Sequence, residues 1–285
     1  MRVTLWGTRG SLASPGPETV GYGGNTACVE VRGADGAVII LDAGTGLRRL
    51  GATLAGRDGR IDILLSHLHV DHIQGLGFFA PLFEPGREVH VWGPPSTTMD
   101  LRARLARYLS PPLFPVPIRE LPSDLTLHDV PFSRFEVQGI EVSAGLVCHP
   151  GPTVGYRLRE GRWTLAYLPD HEPALGDRHY PAPPDWLSGY AIARGADILV
   201  HDAQYTDEEY ASRIGWGHST LTQAVQFATV AEVKRLVTFH HDPDHTDDML
   251  DRLSGGLARQ ELPFEFSPGW EGETFELGEG SRSGV

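Results

Sequence analysis

Apolar residues fall into short runs that alternate with amphipathic stretches. Val3 to Trp6, Ala27 to Val31, Val38 to Leu41 and Ile61 to Leu65 read as strands of a first sheet. Gly33-Ala34-Asp35-Gly36 is a hairpin turn signal between the second and third. Leu47 to Leu54 reads as a short helix. Leu101, Leu105 and Leu109 recur at helical spacing and predict an amphipathic helix over 101–109. Prolines recur from Ser110 to Pro122, which predicts an extended connection. Phe135 to Val147, Val154 to Leu158 and Trp163 to Leu168 predict strands of a second sheet, extended by Ile198 to Val200 and Leu236 to Phe239. Helices are expected at Asp207 to Ile214, Thr220 to Ala231 and Asp247 to Leu257, the last with an acidic first turn. Gly278 to Val285 reads as a frayed tail.

The chemistry concentrates after the strand-like run Ile61 to Leu65. His67-Leu68-His69-Val70-Asp71-His72 places four metal-capable side chains in six residues. In a loop after a strand, His67 and His69 can point one way and Asp71 and His72 another, which suits two adjacent ions better than one. Imidazole and carboxylate are ligands of borderline metals, and no cysteine stands nearby to close a structural zinc site. One or two histidines here would read as an ordinary polar loop. Three with an aspartate, at the end of a buried strand, do not.

The run His67-x-His69-x-Asp71-His72 resembles the signature of the metallo-β-lactamase superfamily. That resemblance asks for a third histidine, a bridging aspartate and a last histidine, in that order. Cys148-His149-Pro150-Gly151, Tyr167-Leu168-Pro169-Asp170 and Val237-Thr238-Phe239-His240 supply them, each at the end of an apolar run. It implies an α/β fold, a four-layer αββα sandwich, with residues 1–285 as one hydrolase domain. It also implies that His67, His69 and His149 hold one divalent ion, that Asp71, His72 and His240 hold a second, and that Asp170 bridges them. Zinc is the first expectation, with manganese or iron as alternatives. Asp42, at the end of Val38 to Leu41, is expected to hold an imidazole N–H beside the site or to cap the following helix. Adjacent residues at a strand end point in opposite directions, so one of each pair Asp170-His171 and His240-His241 should face the metals. Whether His171, His241 or His245 contributes stays open, and Asp242-Pro243-Asp244 reads as a solvated turn or as part of the substrate mouth.

A second constellation narrows the chemistry. His201-Asp202-Ala203-Gln204 and Gly217-His218-Ser219-Thr220 resemble the paired elements of the ribonuclease Z-like branch, with Asp202 where that branch carries glutamate. The resemblance implies that His218 donates a proton to a leaving oxygen or stabilises phosphoryl charge, oriented by Asp202, with Asp71 also in the catalytic set. The plainer reading of this stretch is a helix cap at Ser219 or Thr220, and the two roles are compatible. Gly7-Thr8-Arg9-Gly10-Ser11 resembles a loop at the site mouth, which makes Arg9 a candidate substrate contact beside Ser219. Trp216 and Tyr205 are candidates for stacking on substrate or for packing.

Composition sets outer limits. The 285 residues are 40% hydrophobic and 21% charged, as in an ordinary globular protein. A formal charge of −13 disfavours nucleic acid and acidic membranes as partners. Two cysteines, Cys28 and Cys148, are too few for a disulfide framework and fit a reducing cytoplasm. No signal peptide is visible, and no apolar run approaches the ~20 residues that span a bilayer. The segment 101–122 is short and proline-broken beside the basic arm of transfer-RNA-processing relatives. The expectation is therefore a cytoplasmic dinuclear phosphodiesterase acting on small diesters such as cyclic nucleotides. A ribonuclease Z-like RNA-processing nuclease is the alternative, and an ester, lactone or lactam hydrolase stands behind it. A homodimer is left open.

Overall fold

The computed structural model describes residues 1–176, 180, 184–257 and 259–278, so the expected tail beyond Gly278 lies outside the described residues. The chain first builds β1 (Arg2–Gly7), β2 (Cys28–Arg32), β3 (Val38–Leu41), β4 (Ile61–Leu64), β5 (Glu88–Gly93) and β6 (Asp124–Asp129). It then builds β7 (Arg134–Val137), β8 (Ile140–Leu146), β9 (Val154–Glu160), β10 (Trp163–Leu168), β11 (Ile198–Asp202), β12 (Arg235–Phe239) and β13 (Glu265–Pro268). A last strand, β14 (Thr274–Glu276), returns to pair with β1. The result is two seven-stranded sheets, ordered β14-β1-β2-β3-β4-β5-β6 and β13-β12-β11-β10-β9-β8-β7. In each sheet the strands from one central position outward are parallel: β3 to β6 in the first, β10 to β13 in the second.

The helices are α1 (Leu47–Leu54), α2 (Val70–Ile73), α3 (Leu101–Leu105), α4 (Tyr190–Ala193), α5 (Asp207–Tyr210), α6 (Leu221–Val230) and α7 (Asp247–Leu257). Three apolar clusters give the layers. Val3, Val29, Ile39 and Leu41 of the first sheet meet Val142, Tyr156, Leu165, Val200 and Phe239 of the second. Leu47, Leu50 and Leu54 of α1 cover the outer face of the first sheet, and Ile192 of α4 with Ala224 and Phe227 of α6 cover that of the second. This is the expected αββα sandwich. Among the described residues no helix is long and apolar enough to cross a membrane.

Several boundaries differ from the periodic reading. The stretch Phe135 to Val147 divides into β7 and β8 because Gln138 and Gly139 both take positive φ and close a hairpin. The helix expected over 101–109 ends at Leu105 as a regular element, although Leu109 stays buried and its N–H still bonds Leu105. Pro111 and Pro112 bar any continuation. The helix expected over 207–214 is regular only to Tyr210, since the Ser212 and Arg213 amides bond back three residues, to Glu209 and Tyr210, as tight turns. Strands β5, β6, β13 and β14 are not among the sequence expectations; β5 and β6 alternate apolar and polar residues without a continuous apolar run, and β13 and β14 are only four and three residues long.

Two tyrosines tie the sheets together at the end where the parallel strands finish. The Tyr156 hydroxyl donates to the Leu65 carbonyl at 2.6 Å, and the Tyr167 hydroxyl donates to Asp42 Oδ2 at 2.9 Å. Both residues are fully buried. At the same end, His201 of β11 lies beneath Phe227 of α6, with ring centroids 4.9 Å apart. Its Nδ1–H donates to the Asp202 carbonyl at 2.7 Å and its Nε2 accepts from His171 Nδ1 at 2.9 Å.

Burial pushes His201 down to about 4. The folded value lies below that of the unfolded chain, so the unfolded chain takes up the proton first as pH falls. The stabilisation is therefore complete above about 6.5 and is lost as pH falls toward about 4, roughly 3 kcal/mol in all. His201→Gln should lower stability at pH 7 and flatten its pH dependence between pH 6.5 and 4.5 relative to wild type. Urea unfolding of both proteins across that range measures the difference. Parallel curves would show that His201 does not titrate on unfolding.

Candidate metal centre

The expected ligands follow strand ends at one end of the two sheets: β4, β10 and β12 belong to parallel pairs, whereas β8, which precedes His149, is antiparallel to its neighbours. Strand β4 leads into His67 and His69, and α2 carries Asp71 and His72. His149 follows β8, Asp170 follows β10, and His240 follows β12. Three sets of residues bring donor atoms within 4.8 Å of one another: His67, His69, His149 and Asp170; Asp71, His72 and His240; and Asp170, His218 and His240.

The imidazoles are oriented from behind. His72 Nδ1–H donates to Asp42 Oδ2 at 2.8 Å, His149 Nδ1–H to the Gly217 carbonyl at 3.0 Å, and His240 Nδ1–H to Gln204 Oε1 at 3.0 Å. His67 Nδ1 lies 3.0 Å from Ser66 Oγ, which itself donates to Asp42 Oδ2 at 2.8 Å. Fixing Nδ1 as the protonated nitrogen leaves each Nε2 lone pair free to face the centre. His69 is the exception. It presents Nδ1, 3.2 Å from His149 Nε2, and its side chain is exposed at the open side of the site.

Asp170 divides its two oxygens between the two clusters. Oδ2 lies 3.6 Å from His67 Nε2 and 3.7 Å from His149 Nε2. Oδ1 lies 2.9 Å from His72 Nε2 and 3.4 Å from His240 Nε2. Asp71 Oδ2 stands 3.3 Å from His72 Nε2 and 3.2 Å from His240 Nε2. Burial opposes the Asp170 charge, but His240, His72 and His67 more than offset it and hold the carboxyl well below its usual range. At His72 burial opposes protonation, yet Asp170, Asp71 and Asp42 raise its pKa well above the ordinary value. At His67 burial dominates and drives protonation down. The carboxylates therefore draw positive charge onto His72, while burial keeps His67 and His149 from supplying any.

The donor set fits divalent cations. His67 Nε2 and Asp170 Oδ1 are buried and make no hydrogen bond of sound geometry. An orphaned imidazole lone pair in one half of the cluster and an orphaned carboxylate oxygen in the other are each costly unless a cation satisfies them.

A second unit adjoins the cluster. His218 Nδ1–H donates to Asp202 Oδ2 at 2.6 Å, and the ring stacks on His240 at 4.9 Å between centroids. Asp202 is fully buried and accepts also from the Ser219 and Gln204 amides, each at 3.0 Å. Burial opposes protonation of His218, but Asp202 prevails and raises its pKa. With Nδ1 committed to Asp202, only Nε2 remains for chemistry. Gly217, at φ +87°, is required here, since a Cβ would collide with the His149 ring.

Two expected substrate contacts are corrected. Arg9 has no exposed surface. Its Nε donates to the Gly23 carbonyl at 2.8 Å and its Nη1 to the carbonyls of Asp242 at 3.1 Å and His245 at 2.6 Å. It ties the loop after β1 to the loop after β12 and does not reach a substrate. Ser219 is fully buried, and its hydroxyl donates to the His171 carbonyl at 2.5 Å. The helix cap belongs to Thr220, whose side chain forms a capping box with Gln223.

The open histidines resolve away from the centre. His171 pairs with His201, His241 Nε2–H donates to the Gly269 carbonyl at 2.8 Å, and His245 Nε2 bonds Glu209 at 3.0 Å. Asp242 and His245 are buried whereas Asp244 is exposed, so the turn meets solvent at its tip. Tyr205 is buried under the Arg213 guanidinium, whereas Trp216 is largely exposed. Asp42 takes the expected orienting role. Its carboxylate accepts from the Ser66 amide and hydroxyl, His72 and Tyr167.

Sequence reasoning missed Ser11, Ser66 and Glu172. The Ser11 amide donates to Asp71 Oδ2 at 2.8 Å. Glu172 accepts from the Gly215 and Gly217 amides and shapes the loop whose carbonyl holds His149. Ser66, next to His67, had a positional signal. Glu172 had none, because the two glycine amides it holds lie more than forty residues away.

Comparison with known proteins agrees with this geometry. The family model described as beta-lactamase superfamily domain matches residues 38–241. A ribonuclease Z of Myxococcus xanthus is 27% identical over 282 residues, covering 84% of this chain and 88% of its own length. The structure of human tRNase Z, short form, superposes with a TM-score of 0.66 at 22% identity, covering 97% of this chain and 99% of that one. A diphosphatase from the PhnP family superposes with a TM-score of 0.69 at 20% identity, covering 97% of this chain and 98% of that one. A model match over most of the chain, the two-sheet fold and the ordered His/Asp cluster lead to one placement: the chain belongs to the beta-lactamase superfamily and has the metallo-β-lactamase fold.

Proposed function

We propose that this protein is a dinuclear metal-dependent phosphodiesterase acting on small diesters. His67, His69 and His149 would hold one ion, Asp71, His72 and His240 the other, with Asp170 shared, and zinc suits the imidazole-rich donor set. The observation that carries the reading is the Asp202–His218 pair, set against His240 at the edge of the convergent donors. Ions bound there would supply Lewis acidity toward a phosphoryl oxygen. The chain supplies the rest. Asp202 fixes the His218 ring and favours its protonated form, so Nε2 can hold a proton for a departing alkoxide. Asp71, locked by the Ser11 amide, keeps its charge beside the reacting group.

The preference for small diesters rests on the segment 101–122 and on charge. Leu101, Leu105, Leu109, Phe114, Ile118 and Leu121 are buried in the core beside α1, so this stretch lies on the body instead of projecting as an arm. The chain carries a formal charge of −13. RNA processing is the second reading, favoured by relatives named ribonuclease Z.

Four outcomes are expected. Asp170→Ala should lower bound metal below two ions per chain, by elemental analysis, with loss of most diesterase activity; unchanged metal content would count against a shared carboxylate. His218→Ala should lower kcat by roughly 10²–10⁴-fold with metal content intact, the loss being larger for a ribose leaving group than for p-nitrophenolate. Asp202→Asn should give a milder loss and move the alkaline limb of the kcat profile to lower pH, because the charge that raises the His218 pKa is gone. Equal losses on both leaving groups would replace proton donation by charge stabilisation. Turnover of bis-p-nitrophenyl phosphate and cyclic nucleotides should change little with salt. A transfer-RNA precursor bound tightly, with affinity falling steeply as salt rises, would promote the second reading.

A further inference from the structure

Gln204 lies two residues past Asp202 and is buried, and its side chain makes no hydrogen bond to Asp202 or His218. Its side chain closes a ring of contacts around one half of the donor cluster. His240 Nδ1–H donates to Gln204 Oε1 at 3.0 Å. Gln204 Nε2 donates to Ser11 Oγ at 3.2 Å. The Ser11 amide donates to Asp71 Oδ2 at 2.8 Å, and that oxygen stands 3.2 Å from His240 Nε2. The ring therefore starts and ends on His240 and Asp71, two donors of the same three-residue set. None of its members touches His67, His69 or His149 through these bonds.

We infer that Gln204 is a positioning residue that sets the affinity of the second ion and leaves the first unaffected. The inference rests on the two-ion reading above. Its physical basis is the amide's two ends. The oxygen accepts only a protonated Nδ1, which keeps the His240 Nε2 lone pair facing Asp71. The nitrogen holds the loop after β1, so Asp71 cannot drift from His240. His240 sits at φ +61° and Ser11 at φ +57°, conformations that persist only when neighbours hold them. Asp202 Oδ1 accepts the Gln204 backbone amide at 3.0 Å, so the ring is anchored to a rigid strand end. Gly10 completes the fit, since a Cβ there would strike the His240 ring.

The test is a cobalt(II) titration of the metal-free full chain, followed by visible absorption and calorimetry, for wild type, Gln204→Met and Gln204→Glu. Wild type should bind in two steps. Gln204→Met should retain the first step and weaken the second by roughly 10–100-fold. The retained first step shows that the variant is folded. Gln204→Glu keeps an acceptor for His240 and should recover part of the second step, whereas a residue that merely fills space predicts that a buried charge does worse than methionine. A single step in wild type would sink the two-ion reading and this inference with it. Two wild-type steps with an unchanged second step in Gln204→Met would overturn the Gln204 assignment alone. Equal weakening of both steps, or no recovery in Gln204→Glu, would overturn it as well.

Discussion

Asp170 is a carboxylate that must stay ionised while buried, with one oxygen bare of hydrogen bonds. An uncompensated charge in that setting costs several kcal/mol. The molecule meets the demand by ringing Asp170 with imidazole Nε2 atoms, His72 raised in pKa by the surrounding carboxylates and His67 kept neutral by burial. That choice fixes the next layer. Each ring needs an acceptor behind it, and Asp42, the Gly217 carbonyl and Gln204 are those acceptors. The cluster is thereby prepared for cations, since no neutral arrangement of the same side chains satisfies its buried atoms.

The sandwich is the device that makes such a cluster rigid. His67 through His72 belong to the first sheet, and His149, Asp170 and His240 to the second. A sliding of one sheet over the other would separate the donors. Tyr156 and Tyr167 reach across with their hydroxyls, and the Val154 amide bonds the Ser66 carbonyl at 2.9 Å. Asp42 and His240 end their strands at φ +58° and +61°, which turns both side chains into the cleft between the sheets. Strain of this kind is tolerated where surrounding contacts leave no alternative.

Histidine alone does not mark the centre. Of the thirteen histidines in the chain, His201 and His241 are buried and stay neutral beside it, His241 pushed down to about 3 and His201 to about 4 by burial. They differ from the donor histidines in what lies around them. Their rings meet carbonyls and aromatic faces, whereas the donors meet Asp71 and Asp170. Position next to a ligand, as in His241 after His240, sends a side chain to the opposite side of the strand end.

The sequence by itself determined the order and identity of the donor residues, because ligand chemistry requires particular side chains and strand-end spacing leaves a local mark, as in His67-x-His69-x-Asp71-His72. It also determined most strands of the two sheets and the longer outer helices α1, α6 and α7, but not α4, through apolar periodicity. Only the tertiary structure decided what Arg9 and Ser219 do. A glycine-rich loop looks the same whether its arginine faces solvent or is threaded between Gly23, Asp242 and His245. It likewise decided the roles of Glu172, Ser11 and Gln204, whose partners are distant in sequence. Hydrogen-bond direction and the facing of a side chain are set by the packing of one sheet on the other, and a one-dimensional pattern carries no trace of it.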